Sequence, residues 1–486
     1  MWKNLRIIII QIILVYTPAT LIFESCKKLV VVSGPNTALT SDNVYTNDQT
    51  ASAVLTGLYE LMSQASVSSG TSVDGISIAC GLSSDELSLY GGAQNGNQRL
   101  AQYFLNHLNS GTGTSGDAGS IWGDLYSKIY TVNLAIERLE AADKLSVSVK
   151  TQLLGEAKFM RAFFYFYLTN LYGEVPLTTS SDYQLNSQLH RSPQSQVYSQ
   201  IIGDLLSASS LLSTNYVGSD AKTLTTERCR PNKWTATALL SRVYLYNKQY
   251  DSAEITSTSI INNSLYGLDS LNNVFLKNSH EAIWQLQPVN PGWNTEDAKV
   301  FLLPINGPTL GPGYPVYISS LLLHAFEPQD RRRASWIDSV GTPYATVYYF
   351  PYKYKSATLN APVTEYLMVF RLGEQFLIRS EARAKQNELT LAENDLNAIR
   401  VRAGLDSIKG SNMNSLLYSI MHERQVELFT EWGNRWFDLQ RSGWMDSVMQ
   451  SAALSKGTTW NENAQLFPVP LYDIIQNPNI SQNVGY

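Results

Sequence analysis

Histidine and cysteine are scarce, at 5 and 3 residues in a chain of 486. The histidines are scattered, and His422-Glu423 lacks the second histidine one turn on that a zinc-binding helix requires. Cys80 and Cys229 stand too far apart to define a zinc site, and their spacing leaves open whether they pair. No long basic run occurs and the formal charge is −5, so the electrostatic footprint of a nucleic-acid binder is missing. No apolar run approaches the roughly 20 residues of a membrane-spanning helix. There is no GxSxG elbow and no Walker loop. GTGTSG at 111–116 matches GxGxxG by letter. The preceding QYFLNHLNS is no apolar strand, so the context that places a pyrophosphate on a helix N-terminus is absent and the segment reads as a loop.

What the chain has in plenty is aromatic rings, with 28 Tyr and 10 Trp. Such rings cover large areas with few rotatable bonds, which suits helix cores and flat recognition surfaces alike. The densest stretch is LLGEAKFMRAFFYFYLTNLYGEVPL at 153–177. Leu153, Ala157, Met160, Phe164, Leu168 and Leu171 recur at helical spacing, while Phe163, Phe166 and Tyr167 widen the stripe. This predicts a helix wrapped on several sides and ended by Gly173 and Pro176.

The N-terminus carries an address. Lys3 and Arg6 precede an apolar run over 7–15, the layout of a signal peptide. LIFESC at 21–26 then places a small residue before a cysteine, as in bacterial lipoprotein cleavage sites. The expected division is a signal peptide at 1–25, a lipidated tether at 26–50 anchored through Cys26, a helical region at 51–265 and a second region at 266–486. A lipid on Cys26 holds a protein to a membrane surface without a spanning helix.

Helical periodicity recurs at 51–66, 121–142, 193–212, 231–246, 372–385, 392–401, 417–432 and 436–449, with short helical pieces expected at 85–89 and 100–108. WTATALLSRVYLYNKQYDSA at 234–253 resembles a tetratricopeptide helix pair, small residues where helices touch and an aromatic at the turn. The segment 266–364 holds more than half of the 18 prolines and reads as irregular, the usual home of function. The proline-rich C-terminus reads as extended along the surface. No βαβ alternation is present, so the fold class is mainly α.

Candidate chemistry is sparse. Asp85-Glu86 are adjacent and diverge on a helix, unlike the facing carboxylates of glycoside hydrolysis, and read as a helix-starting acidic pair. Glu423 and Glu427 share a helix face and read as ion pairs, with Arg424 or Arg435 as candidate partners. The remaining candidates are rings and amides in loops: Tyr90 and Asn95 in LYGGAQNGNQ, Trp293 in NPGWN, and Tyr314 and Tyr317 in GPGYPVY. A ring can lie on the C–H face of a sugar while an amide takes its hydroxyls.

Several blocks resemble the SusD/RagB family of outer-membrane lipoproteins of Bacteroidetes: CKKLVVVSGPNTALTSDNVYTNDQTASAVLTGLYELM at 26–62, GEAKFMRAFFYFYLTNLYGEVPL at 155–177, FRLGEQFLIRSEARAKQNELTLAENDLNAIRVRAGL at 370–405, HERQVELFTEWGNRWFDLQRSG at 422–443 and LFPVPLYDIIQNPNISQNVGY at 466–486. They span nearly the whole mature chain in the family's order. The resemblance implies a mainly α SusD-like fold, tetratricopeptide-like hairpins packed against an irregular ligand-binding half. It implies a non-catalytic protein without metal or other cofactor that captures oligosaccharide for a SusC-like TonB-dependent transporter, anchored by lipid in the outer leaflet of the outer membrane. GPGYPVYISSLLLHAFEPQDRR resembles the family loop where an aromatic faces ligand, which marks Tyr314. Lys27-Lys28 replace the acidic tract that follows the anchor in some relatives. The rival readings are a RagB-like peptide binder and an all-α glycoside hydrolase.

Overall fold

The computed structural model describes residues 44–64, 75–111, 117–311, 313–341 and 346–486. The signal peptide, Cys26 and all of GTGTSG beyond Gly111 lie outside these residues. Helix α1 (Asp48–Ser63) starts where the Asn47 side chain accepts from Thr50 N, the cap an Asx residue supplies. After α2 (Gly75–Ser83) comes a short strand, β1 (Leu87–Leu89), where a helical piece is expected. Asp85-Glu86 therefore leave a helix instead of starting one, because β1 pairs with a distant strand. Helices α3 (Gln98–Leu105), α4 (Asp117–Ala141) and α5 (Val147–Tyr172) follow.

Helix α5 is the aromatic rod. Every residue from Phe159 to Tyr172 is buried, as a stripe too wide for one face requires. Gly173, at φ 75°, ends it and donates to Thr169 O. Phe163 meets Trp284 at 5.6 Å, Trp432 at 5.7 Å and Phe370 at 6.0 Å, edge to face in each case. Each such pair contributes about 0.5–1.5 kcal/mol beyond area burial. The rod's few polar groups are satisfied: Arg161 grips Asp204 at 2.8 and 2.7 Å, and Glu156 accepts from Arg230 and from Tyr59 Oη.

Beyond β2 (Val175–Pro176), α6 (Tyr183–Asn186) and β3 (Arg191–Ser192), helix α7 (Gln194–Leu211) packs along the rod. Helices α8 (Lys233–Tyr246) and α9 (Tyr250–Ile261) form the expected hairpin, opened by a capping box on Asn232 and Thr235.

The region 266–364 is less irregular than its composition predicts. It contains β4 (Ala282–Leu286), α10 (Glu296–Phe301), β5 (Val316–Ile318), α11 (Ser320–Ala325), α12 (Arg331–Ser335), β6 (Ile337–Val340) and β7 (Tyr348–Pro351). These form two-stranded antiparallel ribbons: β5 with β1, β6 with β7, and β4 with β8 (Leu367–Arg371). The β4–β8 ribbon carries Trp284 and Phe370 onto the rod.

The chain then returns to hairpins, α13 (Leu372–Lys385) with α14 (Leu389–Arg402), then α15 (Met413–Leu428). The single helix expected at 436–449 is two, α16 (Asn434–Ser442) and α17 (Met445–Lys456), because Gly443 takes φ 76° between them. The C-terminus is laid on the surface only in part: residues 467–470 are buried, while Tyr472, Ile475 and Val484 beyond them are exposed. Phe467 and Val469 are buried, since Phe467 packs on Tyr103, Tyr172 and Trp436, and α18 (Leu471–Gln476) follows. Arg191 donates to Ser481 O at 2.9 Å and Asn483 Oδ1 at 2.6 Å, while Asn483 donates to Tyr172 O and Phe467 O.

A buried ionic knot joins α12, β8, α14 and α15. Glu427 faces Arg332 at 2.8 Å, Arg371 at 2.6 Å and Arg402. Burial pushes its carboxyl up, but the three guanidiniums reverse this and hold it well below the usual range. Glu423 faces Arg332 and Arg400. The ion-pair reading of both glutamates stands, with different partners: Arg424 pairs with Asp438 and Arg435 with Asp85. Cys80 and Cys229 are free thiols. The largest core cluster runs from Ala51 to Ile480, so the segments on either side of residue 265 share it.

Candidate functional site

Three distant pieces of chain meet on one face. In the β1–β5 ribbon Ser88 lies opposite Tyr317, and Tyr90 N extends the ladder by donating to Pro315 O at 2.8 Å. Strand β5 also contacts β7, which brings in Tyr348. The rings of Tyr90 and Tyr317 stand edge-to-face on Tyr348, with centroids at 5.7 and 5.1 Å. All three are half-buried, so each keeps part of its surface open to solvent. Burial and the neighbouring Tyr348 raise the Tyr317 phenol above its ordinary range.

Local geometry fixes this cluster. Gly91 has φ 77°, a left-handed backbone that strains any side chain, and a Cβ there would also displace the tip of Leu310, whose Cδ2 lies 2.4 Å away. Tyr314 sits beside the cluster on the neighbouring loop. Its carbonyl accepts from Thr309 N at 3.0 Å and its N–H donates to Thr309 Oγ1 at 3.3 Å, which leaves the half-buried ring unused by that turn. Leu310 is 58% exposed and Val347 43% exposed, so the rim is apolar.

The structure thus joins Tyr90 and Tyr317 and sets Tyr314 on the adjoining loop. Asn95 is buried; its amide donates to Tyr90 O at 2.7 Å and accepts from Asn97 N at 2.8 Å, so it shapes the Tyr90 loop from within. Trp293 belongs to another turn, with Lys299 Nζ 5.3 Å over its ring, and among the described residues no ring contact joins it to the tyrosines. Tyr348 was not foreseen. Its signal is present in VYYFPYKY at 347–354, an aromatic run in the loop-rich region, but only the β5–β7 contact singles out one ring of that run.

Among the described residues no group of three or more His, Cys, Asp or Glu is placed to hold a metal ion, and no helix is long and apolar enough to cross a membrane. Nearby carboxylates are engaged: Asp85 is held by Arg435 at 2.8 and 2.7 Å. Glu86 is buried, and burial together with the Asp85 charge pushes its carboxyl up to about 8. What the face offers is uncharged rings with exposed surfaces.

Helical hairpins around a buried rod, closed at one face by short ribbons and loops, define a mainly α scaffold that displays aromatic loops. Two family profiles match the chain, one described as "Starch-binding associating with outer membrane" over residues 87–245, the other as "SusD family" over residues 331–486. The chain is 26% identical over 426 residues to the SusD-like protein P2 of Formosa agariphila, covering 76% of this chain and 81% of that one. A solved laminarin-binding SusD-like protein superposes with a TM-score of 0.73 at 24% identity, over 91% of this chain and 100% of that one. The surface glycan-binding protein A of Bacteroides thetaiotaomicron gives 0.74 at 18% identity, over 91% and 100%. The chain belongs to the SusD/RagB family.

Proposed function

We propose that the protein is a non-catalytic, cell-surface glycan-binding lipoprotein. It captures oligosaccharide on the tyrosine face and delivers it to a SusC-like TonB-dependent transporter. The observation that carries this reading is the contact of Tyr348 with both Tyr90 and Tyr317, three half-exposed rings from three separate segments. A neutral aromatic platform favours sugar C–H faces, and contacts of about 1 kcal/mol each give micromolar to millimolar affinity. The names of the laminarin-binding and glycan-binding relatives support the ligand class. In this reading Tyr314 adds a ring from the adjoining loop, Asn95 holds the Tyr90 loop, and Trp293 offers a separate contact. Cys26 carries the lipid that anchors the tether at 26–50 in the outer leaflet of the outer membrane, and the family profile described as associating with outer membrane supports that address.

Isothermal titration against a panel of neutral oligosaccharides, laminarin fragments included, tests the reading. Heat with at least one glycan, weakened by Tyr317→Ala, is expected. Heat with peptides alone would replace the ligand class, and release of reducing ends by the purified protein would overturn the non-catalytic assignment.

A further inference from the structure

A concavity lies away from the tyrosines, where the end of the rod, the start of α7, the α8–α9 turn and the segment after α17 meet. It encloses about 670 Å³, the size of a small-ligand site. Its walls are mostly amides and phenols. Three of these amides are oriented by their own nitrogens. Gln194 Nε2 donates to Thr169 O at 2.8 Å, Gln440 Nε2 to Gln465 O at 3.2 Å, and Gln465 Nε2 to Asp446 Oδ1 at 3.0 Å. Because each nitrogen faces an oxygen, the amide cannot be flipped without setting two acceptors together. Among the described residues no donor faces the three Oε1 atoms. The residues lining the cleft therefore include three oriented amides whose oxygens no protein donor takes among the described residues, with the exposed Lys248 on the turn as a donor and the exposed Glu462 as a further acceptor. Arg441, also in the wall, is neutralised by Glu381 and Asp438 and adds no free charge.

We infer that this cleft is a second ligand site, for a neutral, hydroxyl-rich molecule of mono- to disaccharide size. A polyol donates one hydrogen per hydroxyl and so satisfies an acceptor-rich wall; an anion would meet the carbonyl oxygens and Glu462 unfavourably, and an apolar ligand would leave them unpaired. The site is separate from the tyrosine face and stands whether or not that face binds glycan.

The test is hydrogen exchange of the intact protein with maltose, cellobiose, laminaribiose and mannobiose as probes. At least one is expected to slow exchange over residues 246–250. The protection is expected to persist in Tyr317→Ala/Tyr348→Ala and to need at least tenfold more sugar in Gln194→Leu/Gln440→Leu. The wild-type measurement stands even where the leucine variant fails to fold. No protection at the turn with any of the four sugars, or protection lost with the tyrosine substitutions, would overturn the inference.

Discussion

Trp336 and Tyr348 flank one ribbon and live in opposite surroundings. Trp336, just before β6, is fully buried beneath Lys353 at 5.0 Å, Arg371 at 5.8 Å and Arg402 at 5.9 Å, cations that are themselves paired with glutamates. Tyr348, which opens β7, is half-exposed and abuts rings. The first ring lines a charge-balanced interior whose geometry is overdetermined. The second belongs to an uncharged, half-exposed cluster of rings. An aromatic residue's role is thus read from what lies over its face, because composition alone does not distinguish the two.

The largest effect expected from breaking this contrast lies in the knot. Glu427→Leu leaves three buried guanidiniums short of a carboxylate and should cost about 3–5 kcal/mol in urea unfolding. A loss of about 1 kcal/mol or less, the value of a surface pair, would mean that the knot does not hold the interior. Next comes Glu86, whose carboxyl is pushed up to about 8 by burial and by Asp85. The folded protein keeps a proton that the unfolded chain releases from its ordinary 4.5 upward, so stability falls as pH rises through the window to about 8. The melting temperature should drop between about pH 5 and about pH 9, and the drop should shrink in Glu86→Gln. The smallest effect on stability is expected at the surface. Tyr348→Ala should weaken glycan binding about two- to tenfold, the value of one or two ring contacts, while unfolding moves far less than the about 3–5 kcal/mol expected for Trp336→Ala. Equal destabilisation by the two substitutions would erase the distinction between the rings.

The helices were legible because their cause is local. The stripe over 153–171 announces the rod, and α13 begins and ends at the residues its periodicity marks, Leu372 and Lys385. The breaks were legible only where glycine is isolated by context: Gly173 was foreseen, while Gly443, inside an apolar pattern, was not. The strands escaped because they are short and pair across long loops; Leu87 meets Ile318, and nothing near either residue says so. The candidate site was half-legible for the same reason. Ring-bearing loops are visible in composition, and they point to Tyr90 and Tyr317, but Tyr348 becomes their neighbour only through β5 and β7. Partners of the glutamates escaped likewise, since Arg332, Arg371 and Arg402 reach Glu427 through three different elements.

Asn483 ties Tyr172 to Phe467, and Arg191 reaches over to Ser481. The last carbonyl of the aromatic rod therefore accepts both from Arg191, 19 residues on, and from Asn483, 311 residues on. Until the segment around Asn483 docks, the seam between Tyr172 and Phe467 lacks its bridge. A contact of such sequence separation closes late, so this end of the rod is the part whose burial waits longest.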